Sequence, residues 1–259
     1  MTSLKRTLPP PEQPALFPLW NQQSSLPENS PTTRVTDRAG DAPRDRRDVF
    51  NGRLIEGLTL VGLYEIPKIN PCTLVPDRLI AFSEAVRMPE PDPTAWIHSY
   101  EDDYKTERHW RSPEKYSRKL RGFAGFICPD HSTYRNLPCA QKIYNVYRNQ
   151  LLGAMMQADG HNVIVNVRLN GRDSVPYALA GVPTHSTLAL GLHGCIKLRE
   201  NRSRVIEEVR MICDFCEPAN LVVYGSASYG VLDYPLELGI PVHVYAPDSF
   251  RRSAFREAS

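Results

Sequence analysis

Residues 123–135, FAGFICPDHSTYR, run from an apolar stretch straight into Cys128, Pro129, Asp130, His131 and Ser132. The proline ring fixes the backbone that carries Asp130. A carboxylate held there is a general base or a metal ligand, or else it caps the turn DHST by accepting backbone N–H groups. Asp103 is a second acid that could share proton transfer with it. Either Asp102 or Asp103 with Asp130 could hold one divalent ion for phosphodiester cleavage, although no ligand spacing argues for a metal. His131 is an acid–base group or simply a histidine beside a turn.

His193 lies in LGLHGC between Gly191 and Gly194, where backbone can approach a ligand closely. A neutral imidazole near pH 7 suits proton transfer. Cys195 is a nucleophile if its thiolate is stabilised, and otherwise a small buried hydrophobe, the simpler reading. In VVYGSASYG (222–230), Gly225, Ser226, Ser228 and Gly230 follow a strand and precede a helical turn. Exposed N–H groups in such a loop bind phosphate. The loop matches neither G-x-G-x-x-G nor G-x-x-x-x-G-K-[ST], and an ordinary tight turn also accounts for it. Cys213 and Cys216 form a C-x-x-C pair without a second pair or an H-x-x-x-H partner, and Cys216 falls on an apolar helix stripe. Core packing is therefore expected there. Asn145 and Arg148 share a helix face and either reach the mouth of the sheet, or are solvated helix positions or part of an internal salt bridge.

Eight short apolar runs could position these groups: 58–66, 78–85, 96–103, 122–130, 162–169, 187–194, 221–226 and 241–247. Several are apolar on both faces, as strands covered on both sides must be. Between them, 139–160 carries Ile143, Val146, Tyr147, Leu151, Ala154 and Met155 at helical spacing, with Gly160 as a stop. A second helix places Val205, Val209, Ile212 and Cys216 on one stripe before Pro218. The alternation predicts an α/β fold with a mainly parallel sheet. A degenerate (β/α)8-type barrel is favoured and an open doubly wound sheet is the runner-up. The connections 67–77 and 170–186 look too short for full helices.

In such folds ligands gather at the carboxyl ends of the strands. Those ends carry Glu65, Glu84, Asp102, Asp103, Asp130 with His131, Asn166 with Arg168, His193 and Ser226. As a set they read as a site. In an eight-stranded barrel the 225–230 loop follows the seventh strand, a frequent phosphate position.

The body is expected over 51–250. Residues 1–50 hold 8 of the 23 prolines and many polar residues, the composition of a disordered tail in which ALFPLW (15–20) is a patch that could dock. Residues 251–259 make a short basic C-terminal tail. The net charge of +2 leaves no global basic footprint. No run is long enough to cross a bilayer, and the N-terminus lacks the apolar core of a signal peptide. Six cysteines in 259 residues do not form the framework of a small secreted scaffold. A cytoplasmic protein with no membrane partner is expected; oligomeric state and cofactor stay open.

The segments WIHSYEDDYKTERHW…RNQLLGAMMQADGHNVIVNVRL, LHGC and VVYGS together resemble a family of bacterial, phage and plasmid proteins catalogued as a domain of unknown function (four-four-one-seven). The resemblance covers about residues 58–246. Its most specific parts are PDHSTY and the YNVYRNQ helix. The family pattern reads more like P-D-F-S-x-Y, so His131 stands in place of an aromatic residue, which weakens a catalytic role for it. Asp130 and Ser132 keep the pattern. The resemblance implies a mobile-element setting and supplies no reaction. The leading functional expectation is an enzyme acting on a phosphorylated or nucleotide-like small molecule, with hydrolysis or glycosyl transfer as its reaction. Asp130, His193 and Asp103 would do its acid–base work. The alternatives are a nucleic-acid- or partner-binding protein for plasmid or phage maintenance, using the Arg- and Tyr-bearing stretch 103–121, and a structural protein whose polar strand ends face solvent.

Overall fold

Runs such as VIVN and TLALG can be buried only in a sheet covered on both sides. The computed structural model describes residues 48–196 and 198–247. The expected tails, apart from 48–50, and the ALFPLW patch lie outside them. Among the described residues, packing begins at Asp48. Its carboxylate accepts the N–H groups of Gly52 and Arg53, and Arg53 bridges it to Glu114.

A two-residue antiparallel pair opens the domain, β1 (Leu60–Val61) with β2 (Ile66–Pro67). Seven parallel strands follow: β3 (Arg78–Ala81), β4 (Ala95–His98), β5 (Gly125–Ile127), β6 (Val163–Asn166), β7 (Thr187–Gly191), β8 (Asn220–Tyr224) and β9 (Val242–Tyr245). Helices α1 (Phe82–Ala85), α2 (Asp103–Arg111), α3 (Pro113–Lys119), α4 (Cys139–Ala158), α5 (Val175–Ala178), α6 (Arg199–Cys216) and α7 (Asp233–Glu237) lie in the connections. The strands pair strictly in chain order, β3 to β9. A sheet wound in one direction curls, and this one nearly closes into a barrel. Its seam, between β3 and β9, has no backbone ladder. Tyr245 Oη donates across the seam to the Pro76 carbonyl.

The barrel reading holds, with seven strands in place of eight. Residues 58–66 leave the sheet because Gly62 (φ 72°) and Glu65 (φ 50°) take left-handed conformations and fold the run back on itself. The doubly wound runner-up requires a reversal of strand order, and none occurs.

Strand alternation divides the core in two. Leu79, Trp96, Ile127, Ile164, Ala189 and Val222 fill the barrel interior. Their neighbours, including Ile97, Phe126, Val165, Leu188 and Val223, pack outward with the helices. Gly125 faces Trp96 in register. A Cβ at Gly125 would lie 2.4 Å from the indole, so the indole occupies the volume this glycine leaves.

Helix α4 buries Val146, Leu151, Ala154 and Met155 as its periodicity demands, and Gly160 (φ 90°) follows its end. On α6 the Val205, Val209, Ile212 and Cys216 stripe is buried. Cys213 and Cys216 are core residues, and burial pushes their thiols up to about 11 and about 12. The 103–121 stretch forms α2 and α3, which bury Thr106, His109, Trp110 and Ser117. No helix among the described residues is long and apolar enough to cross a membrane.

Candidate functional site

Parallel strands deliver the residues that follow them to one rim. There β4 places His98 and Tyr100, β5 Asp130, β6 Asn166 and Arg168, β7 Gly191, His193 and Cys195, and β8 Tyr224. Most of these groups surround a cavity of about 770 Å³, whose wall is completed by Arg135 from the 132–135 loop and by Arg204 and Glu208 from α6.

The centre of the site is a fixed guanidinium. Arg168 Nε donates to Asp130 Oδ1 at 2.9 Å, and Nη2 donates to Oδ2 at 2.5 Å. Asn166 Nδ2 donates to the same Oδ1 at 2.9 Å, and Tyr100 Oη donates to Asn166 Oδ1 at 3.0 Å. Four side chains from three strand ends thus form one chain of hydrogen bonds that orients Arg168 toward the cavity. Gly191 makes this possible, since a Cβ there would come within 2.8 Å of Arg168 Nη2 and 2.7 Å of the Tyr100 ring. Burial works against the Arg168 charge. The Asp130 carboxylate outweighs it and holds the guanidinium well above its usual pKa. The third guanidinium nitrogen, Nη1, donates to Cys195 Sγ at 3.3 Å.

Aromatic rings floor the site. Tyr100 and Tyr224 stack at 4.8 Å with 20° between planes, and His98 lies against both. His193 meets Tyr224 edge-on at 6.3 Å. Burial, then the Asp130 charge, keeps Tyr100 a neutral phenol.

Asp130, Arg168, His193 and Ser132 line one cavity. Asn166 stands behind Asp130 and also faces a small void of about 10 Å³ with Arg168. Asp103 does not reach the cavity. Its carboxylate accepts the Ser132 N–H at 3.0 Å and the hydroxyl at 3.1 Å, which places it as a support of the 130–135 loop. Asn145 and Arg148 support the same loop from behind. Asn145 Nδ2 donates to the Ser132 carbonyl, and Arg148 joins Asn145 to Glu107. His131 is buried and faces away, bonded to Asn149 Oδ1.

Gly225, Ser226, Ser228 and Gly230 stand outside the cavity wall. The Gly225 N–H donates to the Tyr245 carbonyl, and Ser226 and Ser228 bond each other. Gly225 (φ 132°) admits the neighbouring turn, because a Cβ there would lie 2.6 Å from His193 N. Cys195 is half-buried and lines the cavity, so the simpler reading of a buried hydrophobe does not describe it.

Sequence reasoning missed Tyr100, Tyr224, Arg135, Arg204 and Glu208. A signal existed for the tyrosines, since each ends or closely follows an apolar strand. None existed for Arg204 and Glu208, an i,i+4 pair that reads as helix surface. Among the described residues no group of three or more His, Cys, Asp or Glu is placed to hold a metal ion.

Two curated phage proteins are similar to this chain. It is 29% identical over 171 residues to the Gene 1 protein of Mycobacterium phage D29, spanning 64% of this chain and 62% of that protein. It is 30% identical over 167 residues to the Gene 1 protein of Mycobacterium phage L5, spanning 62% of this chain and 71% of that one. No solved structure matches. The family model described as a domain of unknown function (DUF4417) matches residues 58–236, a span that holds every polar group of the rim from Tyr100 to Tyr224. The chain therefore belongs to the DUF4417 family, with relatives among mycobacteriophage proteins.

Proposed function

We propose that this protein is an enzyme that hydrolyses a phosphorylated, nucleotide-like small molecule at the carboxyl-terminal mouth of its barrel. The observation that carries the reading is the Arg168 guanidinium, locked by Asp130 and Asn166 and presented beside the Tyr100–Tyr224 stack in a cavity of nucleotide size. A guanidinium fork matches phosphate geometry. An aromatic stack offers a flat apolar face to a ring. The cavity volume falls within the range of small-molecule sites.

The anion anchor in this reading is Arg168, with exposed Arg135 as a second cation at the rim. Arg135 has no ion pair among the described residues. The other lining cations are engaged, Arg204 by Glu208 and Lys105 by Glu101. His193, exposed at the mouth, is the proton donor and acceptor. Asp130 is a positioning residue, because its two oxygens already accept three hydrogen bonds.

Thermal-shift titration of the full chain against nucleoside monophosphates, sugar phosphates and short DNA tests this. A ligand at about one hundred times its Kd stabilises by about 2.7 kcal/mol and raises Tm by several degrees. A nucleoside monophosphate should do so in the wild type and not in Arg168→Met. A shift from DNA alone, erased by salt, would replace the enzyme with a nucleic-acid-binding protein.

A further inference from the structure

The phosphoryl-transfer reading leaves open which atom attacks phosphorus, and contact with the Arg168 guanidinium singles out one candidate. Of the cavity wall's aliphatic hydroxyls, Ser132 Oγ donates to Asp103 and Thr133 Oγ1 accepts from Asn170, and neither bonds Arg168. The wall's carboxylates are engaged by other donors. Asp130 accepts three donors, Glu101 accepts from Ser83, Glu208 accepts from Arg204 and Gly171, and Asp102 pairs with Lys105. Tyr100 donates to Asn166. The Cys195 sulfur lines the cavity, is partly exposed, and meets the positive Nη1 of Arg168 at 3.3 Å, while its S–H donates to the Gly191 carbonyl at 3.4 Å.

Arg168 gives an independent sign that an anion belongs beside that sulfur. A guanidinium carries five N–H donors, and Asp130 and Cys195 take three of them. Two remain, one on Nη1 and one on Nη2, for the oxygens of a phosphate. A phosphate held there shares Nη1 with Sγ and so lies beside the sulfur.

We propose that Cys195 is the nucleophile of this site and that phosphoryl transfer passes through a phosphocysteine. The inference rests on the phosphate-ester reading above. In the first step Sγ forms an S–P bond as the P–O bond to the substrate alcohol breaks, and the Cys195 proton passes through His193 to the leaving oxygen. In the second step water attacks phosphorus and its proton passes through His193 to the sulfur as the S–P bond breaks, returning the thiol and releasing inorganic phosphate. The two steps sum to ester plus water giving alcohol plus phosphate, with no redox change and no further reactant. A thiolate attacks well and leaves well, which suits both steps.

The test uses the full chain with para-nitrophenyl phosphate as substrate, inorganic phosphate as ligand and iodoacetamide as alkylating agent. Peptide mapping should find Cys195 alkylated ahead of exposed Cys139, and saturating phosphate should slow its alkylation about tenfold or more. Acid-quenched turnover should leave one phosphoryl group on the Cys195 peptide. Cys195→Ser should lose about 10²-fold or more of the hydrolysis while still binding phosphate. Alkylation of wild-type Cys195 no faster than Cys139 and unchanged by phosphate would overturn the proposal without relying on any variant's folding. If Cys195→Ser keeps hydrolysis and Arg168→Lys loses it, the nucleophile assignment falls and the phosphate site stands. If wild-type protein neither turns over the ester nor binds phosphate, both fall.

Discussion

His109 on α2 is fully buried, with 0% of its surface exposed. Its ring stacks on Phe82 at 5.3 Å and 13° and meets Phe126 edge-on at 5.3 Å, so the cavity it fills is shaped for an aromatic ring. Neither ring nitrogen has a hydrogen-bond partner among the described residues. Burial, and after it the charges of His131 and His161, lowers its pKa to about 3. The unfolded chain titrates near 6.5. Between those values the unfolded state binds a proton that the folded state refuses. The His109 contribution is therefore harmless above about pH 6.5 and costs about 1.4 kcal/mol for each pH unit below it. At pH 5, about 1.5 units down, the loss is about 2 kcal/mol. His109→Phe removes that titration. At pH 7 it also removes two unpartnered buried nitrogens, worth about 1–3 kcal/mol, against about 1 kcal/mol or more for the added volume. Urea unfolding should show the variant about 1 kcal/mol more stable at pH 7 and about 3 kcal/mol more stable at pH 5. His131 and His161 are also held below their ordinary values, chiefly by burial, so both proteins weaken in acid. An identical loss between pH 7 and pH 5 in the two proteins would refute the reasoning.

Other perturbations probe the barrel and its mouth. Gly125→Ala places a methyl 2.4 Å from the Trp96 ring, and urea unfolding should show a loss of about 1–3 kcal/mol together with a changed tryptophan emission. Asp130→Ala strands the Arg168 charge; with that side chain 28% exposed, the cost should be about 2 kcal/mol by urea unfolding, below that of a fully buried pair. Gly225→Ala drives a Cβ to 2.6 Å from His193 N at a φ of 132°; a loss of about 2 kcal/mol should accompany faster hydrogen exchange across 192–195, and unchanged exchange there would contradict the packing described. Arg53→Ala breaks the bridge between Asp48 and Glu114, both partly exposed, and calorimetry should register only about 1 kcal/mol.

Much of this architecture was legible in the chain because periodicity is a local property. The two long helices declare themselves through stripes such as Val205, Val209 and Ile212, and their stops through Gly160 and Pro218. Seven of the eight apolar runs became sheet strands, and their alternation with helices implied that the strands are parallel. The eighth failed because a left-handed φ at Glu65, a residue type that rarely adopts one, carries no local signal. Parallel strands carry the residues after them to one rim, so strand direction alone groups Asp130, Arg168 and His193.

Which of those polar groups face one another is a different matter, because partners 27 to 66 residues apart leave no spacing in the chain. Asp103 looks as catalytic as Asp130 in sequence, yet one supports a loop and the other locks a guanidinium. The serines of 226–228 bond each other outside the cavity. Cys195 reads as a hydrophobe until β6 and β7 pair and set its sulfur against Arg168. The sequence by itself determined the seven barrel strands, the long helices and the end of the barrel at which the polar residues gather, since each follows from local pattern and strand direction. Only the tertiary structure decided which side chain meets which, because hydrogen bonds depend on fractions of an ångström that strand curvature and glycine clearances set.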